Sequence, residues 1–204
     1  MSDFDERAAT WDDDPAKWVR ACTVAEAIGA ALPLDGTQRM LEYGAGTGLV
    51  TQALQADVGP VTLADASEGM RDVMRAKIAA GVLDTGARVL DLDLETEPPA
   101  PDDRFDLVVT VMTLHHVGRV DLVLSRFAEM LDANGALCVV DLDAEDGSFH
   151  GPDADVHQGF ERSEIRTALA VAGFSEIEIG SCHQMVRDDV TFTLFLATCR
   201  KPAD

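Results

Sequence analysis

Short apolar runs alternate along this chain with longer segments in which apolar residues recur at helical spacing. Most of the runs are rich in Val and Leu, which is typical of strands buried in a sheet. They lie at residues 39–43, 61–64, 87–92, 105–112 and 136–142. The helical spacing is found at residues 47–56, 67–80, 121–131 and 161–172. The pattern predicts an α/β protein.

The two ends of the chain depart from this alternation. A polar stretch, residues 1–14, precedes a helix that Asp14 would cap and Pro15 would begin. Near the other end, two strands at residues 174–179 and 190–199 follow each other with no helix between them, so they must pair antiparallel or lie apart. We expect a doubly wound, mostly parallel sheet with helices on both faces and an antiparallel C-terminal strand pair.

Composition narrows the class of protein. A chain of 204 residues with 47% hydrophobic content fits one domain, with an N-terminal lid and helix at 1–33 and a core at 34–204. The formal net charge of −21 argues against nucleic acid and anionic membranes as partners, because phosphate groups are bound by basic surfaces. The four cysteines are scattered, and no apolar leader or membrane-spanning run is visible. We therefore expect a cytoplasmic protein with reduced thiols.

A glycine-rich turn follows the first predicted strand. It contains Gly44, Gly46 and Gly48. Glycines let the backbone approach a ligand closely, and Asp65 ends the next strand, where a carboxylate can bind the hydroxyls of a ribose. Leu49 stands where the nicotinamide fingerprint Gly-x-Gly-x-x-Gly has its third glycine, which disfavours a dinucleotide. The acidic Glu42 and Asp65 suit a positively charged ligand such as S-adenosylmethionine.

Four segments in this order resemble the motifs of the class I S-adenosylmethionine-dependent methyltransferases. They are 41–48 (Leu-Glu-Tyr-Gly-Ala-Gly-Thr-Gly), 65–70 (Asp-Ala-Ser-Glu-Gly-Met), 105–117 with its Leu-His-His-Val turn, and 131–137. Ala133 and Asn134 depart from the family's usual Leu-x-Pro-Gly-Gly but keep a turn. The resemblance implies S-adenosylmethionine as cofactor and a seven-stranded sheet in the order 3-2-1-4-5-7-6.

The resemblance also implies which residues bind the cofactor. Asp65 would bind the ribose hydroxyls, and Glu42 would help to hold the ammonium group. Asp93 and the backbone of Leu94 would contact the adenine, although Asp91 offers a second carboxylate nearby. The full implied set is Glu42, Gly44, Ala45, Gly46, Gly48, Asp65, Ala66, Met70, Asp93, Leu94 and Met112.

Four of the five histidines are expected at the carboxyl edge of the sheet, where ligands bind in open α/β folds. His115 and His116 follow the fourth strand, His150 and His157 lie in the long segment after the fifth, and His183 falls between the last two predicted strands. Imidazole is the usual general base near neutral pH. His150, His157 and His116 are therefore the candidate catalytic residues, with structural roles in turns as the alternative. Neither these histidines nor the cysteines show metal-ligand spacing, so no metal is predicted.

The main hypothesis is an enzyme that transfers a methyl group from S-adenosylmethionine to O, N or C of a small-molecule acceptor, as a monomer or homodimer. One alternative is a non-catalytic S-adenosylmethionine-binding regulatory module. Another is a nicotinamide-dependent reductase, which the position of Leu49 and the terminal strand pair disfavour.

Overall fold

The computed structural model describes residues 3–151 and 154–203, and these form one seven-stranded sheet. The strands are β1 Met40–Tyr43, β2 Val61–Ala64, β3 Arg88–Leu90, β4 Phe105–Val111, β5 Leu131–Leu142, β6 Ser175–Arg187 and β7 Val190–Arg200. Their order is β3-β2-β1-β4-β5-β7-β6. Strands β1 to β5 run parallel, whereas β7 is antiparallel to both β5 and β6. The predicted fold class and strand order are thereby confirmed.

The helices cover both faces of this sheet. They are α1 Asp3–Arg7, α2 Pro15–Ala31, α3 Leu49–Leu54, α4 Glu68–Ala79, α5 Val120–Met130 and α6 Arg162–Val171. Side chains of α2 and α3 pack with Met40 and Leu107 on one face, and those of α5 and α6 pack with Leu41 and Val108 on the other. Consecutive residues of one strand therefore belong to different cores, as the two-residue period of a strand requires.

Two helix starts follow the capping chemistry expected from the sequence. The Asp14 side chain accepts a hydrogen bond from Ala16 N at 2.9 Å, and Ser67 Oγ accepts one from Met70 N at 3.3 Å. These bonds satisfy backbone N–H groups that a helix leaves unpaired in its first turn.

Several predicted boundaries differ from the structure. The fifth strand was expected from residue 136 but begins at Leu131, which was assigned to the preceding helix. The helix expected at residues 47–56 begins only at Leu49, because Gly48 has a φ of 77° and cannot be part of the helix. The third strand is shorter than 87–92 and comprises Arg88–Leu90. His183 was expected between the last two strands but lies within β6, whose exposed edge carries polar residues that hide its strand character. Among the described helices, none is both long and apolar enough to cross a membrane.

Candidate active site

The glycine turn links β1 to α3 through three glycines with positive φ. Gly44, Gly46 and Gly48 have φ values of 68°, 56° and 77°. A Cβ at Gly44 would lie 2.3 Å from the Thr113 side chain, and one at Gly48 would lie 2.9 Å from Leu63 Cδ2. A Cβ at Gly46 would meet no heavy atom of the described residues within 4 Å. The outer two glycines thus permit close packing, whereas Gly46 faces open space.

Asp65 follows β2 and faces this turn. Its Oδ2 accepts a hydrogen bond from Gly46 N at 2.7 Å, and its Oδ1 accepts one from Ser67 N at 2.9 Å. Burial raises the pKa of Asp65, although both backbone N–H groups favour its charged form. Each carboxylate oxygen has a second lone pair, so the side chain can still accept from the two hydroxyls of a ribose.

Glu42 is buried beneath the turn and binds the start of α3. Its Oε2 accepts hydrogen bonds from Thr51 N at 2.9 Å and from Thr51 Oγ1 at 2.5 Å. Burial is the main reason that the pKa of Glu42 is raised to about 7. Glu42 therefore holds β1 against the helix, in addition to any contact with a ligand.

Arg71 connects the ends of β2 and β3. Its guanidinium donates to the carbonyls of Asp65 and Ala66 at 2.9 and 2.8 Å, and it pairs with Asp91 at 2.9 Å. Asp91 therefore already has a cationic partner. Met70, on the same helix as Arg71, is buried, whereas Ala66 is exposed at the surface of the site.

The proposed adenine contacts lie just beyond β3. Asp93 is half-buried, and its Oδ1 accepts a hydrogen bond from Glu95 N at 2.9 Å. Leu94 N donates to the hydroxyl of Tyr43 at 3.1 Å. The backbone donor that the resemblance assigned to the adenine ring thus has an internal partner, which the sequence did not indicate.

The N-terminal segment lies across three loops of this edge. Asp5 Oδ1 accepts from Ser67 Oγ at 2.6 Å and from Gly69 N at 3.1 Å, next to the loop after β2. Asp12 accepts from Thr47 Oγ1 in the glycine turn at 2.5 Å. The Phe4 ring contacts the turn after β4, since its centroid lies 5.2 Å from that of His116. These contacts place the segment where a lid over the cofactor would lie.

Three histidines meet at the same edge of the sheet. His115 and His116 lie in a 3₁₀ turn, Leu114–His116, and His150 lies in the segment after β5. The ring centroid of His115 is 4.1 Å from that of His116 and 5.0 Å from that of His150, and the other two centroids are 5.1 Å apart. We call these three residues the histidine cluster.

Asp141, at the end of β5, orients the buried member of the cluster. Its carboxylate lies 2.6 Å from His115 Nδ1 and accepts from the backbone N–H of His115 at 3.2 Å and of Leu142 at 2.8 Å. Because an ionised carboxylate only accepts, the His115 proton lies on Nδ1. The Nε2 atom of His115 then carries the lone pair, and it is buried without a hydrogen-bond partner among the described residues.

Burial keeps the other two rings of the cluster uncharged. It lowers the pKa of His116 to about 4, and the neighbouring His115 and His150 lower this pKa further. Burial also lowers the pKa of His150, with His115 as the next contributor. Both rings are therefore neutral at pH 7 and can act as hydrogen-bond acceptors or ligands.

The structure joins the cofactor side and the cluster through the end of β4. Thr113 Oγ1 donates to the carbonyl of Gly44 at 3.3 Å, two residues before His115. Met112 has a φ of 55°, and its N–H donates to Val140 O at 2.8 Å, which fixes this turn. Met112 thus lies between the two halves of the site.

Not every candidate histidine joins the cluster. His157 Nε2 lies 2.9 Å from Val117 O, and its backbone N–H donates to His115 O at 2.8 Å, so His157 supports the turn from outside. Sequence reasoning missed Asp141 and the role of His115. The signal for both was a carboxylate at the end of the fifth apolar run, at the same edge as the Leu-His-His-Val turn.

The comparisons with known proteins agree with this geometry. Residues 41–139 match a family described as a methyltransferase domain. An uncharacterized methyltransferase of Schizosaccharomyces pombe is 30% identical over 154 residues, which cover 69% of this chain and 54% of that relative. A complex between the Haloferax volcanii Trm112 methyltransferase activator and a methyltransferase contains a chain with a TM-score of 0.78 at 19% identity, covering 99% of both chains.

A second solved structure has the same fold with a ligand bound. It is the 1,6-didemethyltoxoflavin-N1-methyltransferase of Burkholderia thailandensis with S-adenosylhomocysteine, with a TM-score of 0.72 at 21% identity, covering 98% of this chain and 87% of that one. The matched domain and the shared fold together support a class I S-adenosylmethionine-dependent methyltransferase. It spans between 25% and 54% of the length of three curated relatives that it matches.

Proposed function

We propose that the protein transfers the methyl group of S-adenosylmethionine to an oxygen, nitrogen or carbon atom of a small-molecule acceptor. The observation that carries the proposal is the placement of two groups at one edge of the sheet. These are the Gly46–Asp65 pair and the histidine cluster, which are joined through Thr113. An adenosine-binding side and a polar side would therefore meet at the end of β4.

The cofactor would lie along the glycine turn. Its ribose hydroxyls would bind Asp65. The cofactor would lie against the backbone of Gly46, which has no side chain to block it. The sulfonium and ammonium charges would favour the ionised forms of Asp65 and Glu42, whose burial otherwise raises the pKa of each. The cofactor supplies the methyl group, and the protein supplies its position.

The acceptor would lie against His116 and His150. Their neutral rings can accept a hydrogen bond from an acceptor hydroxyl or amine, which would orient its lone pair toward the methyl group. The Phe4 ring packs against His116, so the acceptor would be a small molecule or an exposed group of a larger one. Relatives named as O- and C-methyltransferases favour oxygen or carbon as the acceptor atom.

Calorimetry with S-adenosylhomocysteine and with NAD⁺ tests the cofactor side. We expect S-adenosylhomocysteine to bind and Asp65→Ala to weaken its affinity by about 1–3 kcal/mol, the cost of losing a charged hydrogen-bond acceptor. Asp72→Ala, on the exposed side of α4, is the matched control and should bind normally. Unchanged affinity in Asp65→Ala, or preferential binding of NAD⁺, would contradict the assignment.

Turnover separates the enzyme from a non-catalytic binding module. The protein is incubated with methyl-labelled S-adenosylmethionine and a panel of phenols, alcohols, amines and activated carbon acids. Methyl transfer that is lost in His150→Ala, with S-adenosylhomocysteine affinity intact, supports the proposal. Binding without transfer to any member of the panel would favour the regulatory module.

A further inference from the structure

Two buried nitrogen atoms of the histidine cluster have no hydrogen-bond partner. His115 Nε2 and His150 Nε2 are both inaccessible to solvent and contact no donor or acceptor among the described residues. Leaving such a group unsatisfied costs about 1–3 kcal/mol. Two of them side by side indicate that the cluster is shaped for something that the protein alone does not supply.

The Asp141–His115 pair identifies the kind of partner. Histidines that bind metal ions usually donate their other ring N–H to a carboxylate, which fixes the ring and makes the free nitrogen more basic. Asp141 is fully buried and accepts from His115 Nδ1 at 2.6 Å. His115 Nε2 is thereby left as the free nitrogen of a ring that packs against those of His116 and His150, and the Asp141 carboxylate lies beside the cluster.

We propose that His115, His116 and His150 bind one divalent transition-metal ion of the zinc class, with an open fourth position facing the methyl acceptor. One ligand nitrogen from each ring lies within 4.8 Å of the other two. Three neutral imidazoles suit zinc, copper or nickel, whereas magnesium and calcium prefer oxygen ligands. The open position is characteristic of catalytic zinc sites.

The spacing of the cluster is compatible with a tetrahedral site. Zinc–nitrogen bonds of about 2.0–2.1 Å place ligand atoms roughly 3.3 Å apart, and the three ring nitrogens lie within 4.8 Å of one another. His150 lies outside any helix or strand, so its segment can move inward. Phe4 against His116 and Phe149 against His150 surround the cluster with apolar rings that would keep bulk water from it.

The role of the ion in methyl transfer rests on the proposed function, whereas the binding of the ion does not. With the ion bound, the acceptor would be held by the metal in place of the hydrogen bonds to His116 and His150. A hydroxyl acceptor on the fourth position would lose its proton to solvent, because a bound metal lowers the pKa of its ligand. The lone pair of the resulting anion would form the bond to the methyl carbon. The carbon–sulfur bond would break with its electron pair on sulfur, which yields neutral S-adenosylhomocysteine.

The test is a titration of the full chain, freed of metal with a chelator, with Zn²⁺ and with Co²⁺. We expect one ion per chain and, for Co²⁺, the visible absorption of a four-coordinate site with nitrogen ligands. His150→Asn and His116→Asn should each weaken Zn²⁺ binding at least 100-fold. His183→Asn, on β6 and away from the cluster, should bind Zn²⁺ like the unaltered chain.

Each variant is also titrated with S-adenosylhomocysteine and its fold is checked by circular dichroism. Failure to bind Zn²⁺ in a folded chain, or equal binding in His150→Asn and the unaltered chain, would overturn the metal site. Zn²⁺ binding without methyl transfer would leave the site standing and contradict the proposed function. Transfer that proceeds at full rate in the metal-free chain would show that the cluster acts without an ion, and the metal role would fall.

Discussion

The two halves of the site are built in different ways. On the cofactor side, Asp65 and Gly46 are 19 residues apart, and both oxygens of the Asp65 carboxylate accept backbone N–H groups. The histidine cluster instead combines His115 and His116 with His150 and with Asp141, which lies 26 residues beyond His115. Two of its nitrogens are unpartnered within the described chain. The hydrogen bonds of the Asp65 carboxylate are thus made within the chain, whereas two nitrogens of the cluster are free to bind a ligand.

Burial shifts the pKa of an ionisable side chain in each half of the site. Burial raises the pKa of Glu42 on the cofactor side and lowers the pKa of His116 on the other, because burial disfavours the charged form of each. A cation bound at either place would favour the ionised carboxylate or the neutral imidazole. The site is therefore arranged around positive charge that ligands bring, on a chain whose formal net charge is −21.

The largest expected effect concerns the junction between the halves. Gly44→Ala would place a Cβ 2.3 Å from Thr113 at a φ of 68°, and it should lower the free energy of unfolding by about 3–4 kcal/mol through overpacking and backbone strain. Gly46→Ala has a similar φ of 56° but no near neighbour among the described residues, so strain alone should cost it about 1 kcal/mol.

Denaturant unfolding of both variants measures this difference. Equal losses of stability in Gly44→Ala and Gly46→Ala would show that Thr113 moves aside freely and that the two halves are not tightly joined. Gly46→Ala should in addition weaken S-adenosylhomocysteine binding, because its methyl group would occupy space that the cofactor is proposed to fill.

The same comparison explains what the sequence could predict. The Asp14 and Ser67 caps follow from local patterns and the strand order from the family resemblance, and the structure confirms them. The bond from Leu94 N to the Tyr43 hydroxyl could not be foreseen, because it joins β1 to the loop after β3, 51 residues further along the chain. A side-chain hydroxyl competing for a backbone donor leaves no periodic signal.

The histidine cluster could not be predicted from the sequence for a related reason. Metal-ligand motifs are recognised by short spacing on one helix or loop, whereas His115 and His150 come from different loops that only the parallel pairing of β4 and β5 brings together. The position of His183 was wrong because β6 is an exposed edge strand, where the apolar pattern that marks a buried strand is weak.

The next prediction tests the cofactor side through pH. The pKa of Glu42 is about 7 in the folded state, whereas the ordinary value of 4.5 applies to the unfolded chain. The folded state thus binds more protons between these values, so stability is lost as the pH rises from 4.5 to 7. The full difference corresponds to about 3 kcal/mol. Glu42→Gln should remove this loss, so its stability relative to the unaltered chain should increase with pH.

Unfolding free energies at pH 5 and pH 8 measure this increase. Glu26→Gln, on the exposed side of α2, should give the same difference from the unaltered chain at both pH values. Parallel stability curves for Glu42→Gln and the unaltered chain would mean that Glu42 is solvated. The contrast between a raised carboxyl pKa on one side of the site and lowered imidazole pKa values on the other would then fail.

The smallest effect concerns the N-terminal segment, which contacts loops in both halves of the site. Asp5 accepts from Ser67 Oγ and Gly69 N, and Gly69 is small enough to let the backbone of Asp5 lie against α4. Asp5→Ala should lower the free energy of unfolding by about 1 kcal/mol, as the loss of a helix-capping side chain does.

If the segment must lift for the cofactor to leave, that loss should speed S-adenosylhomocysteine release about fivefold. Stopped-flow displacement measures the rate, with the exposed Asp13→Ala as control. Reduced stability with an unchanged release rate would show that the segment stabilises the fold without covering the cofactor. Phe4 would then contact only the histidine cluster.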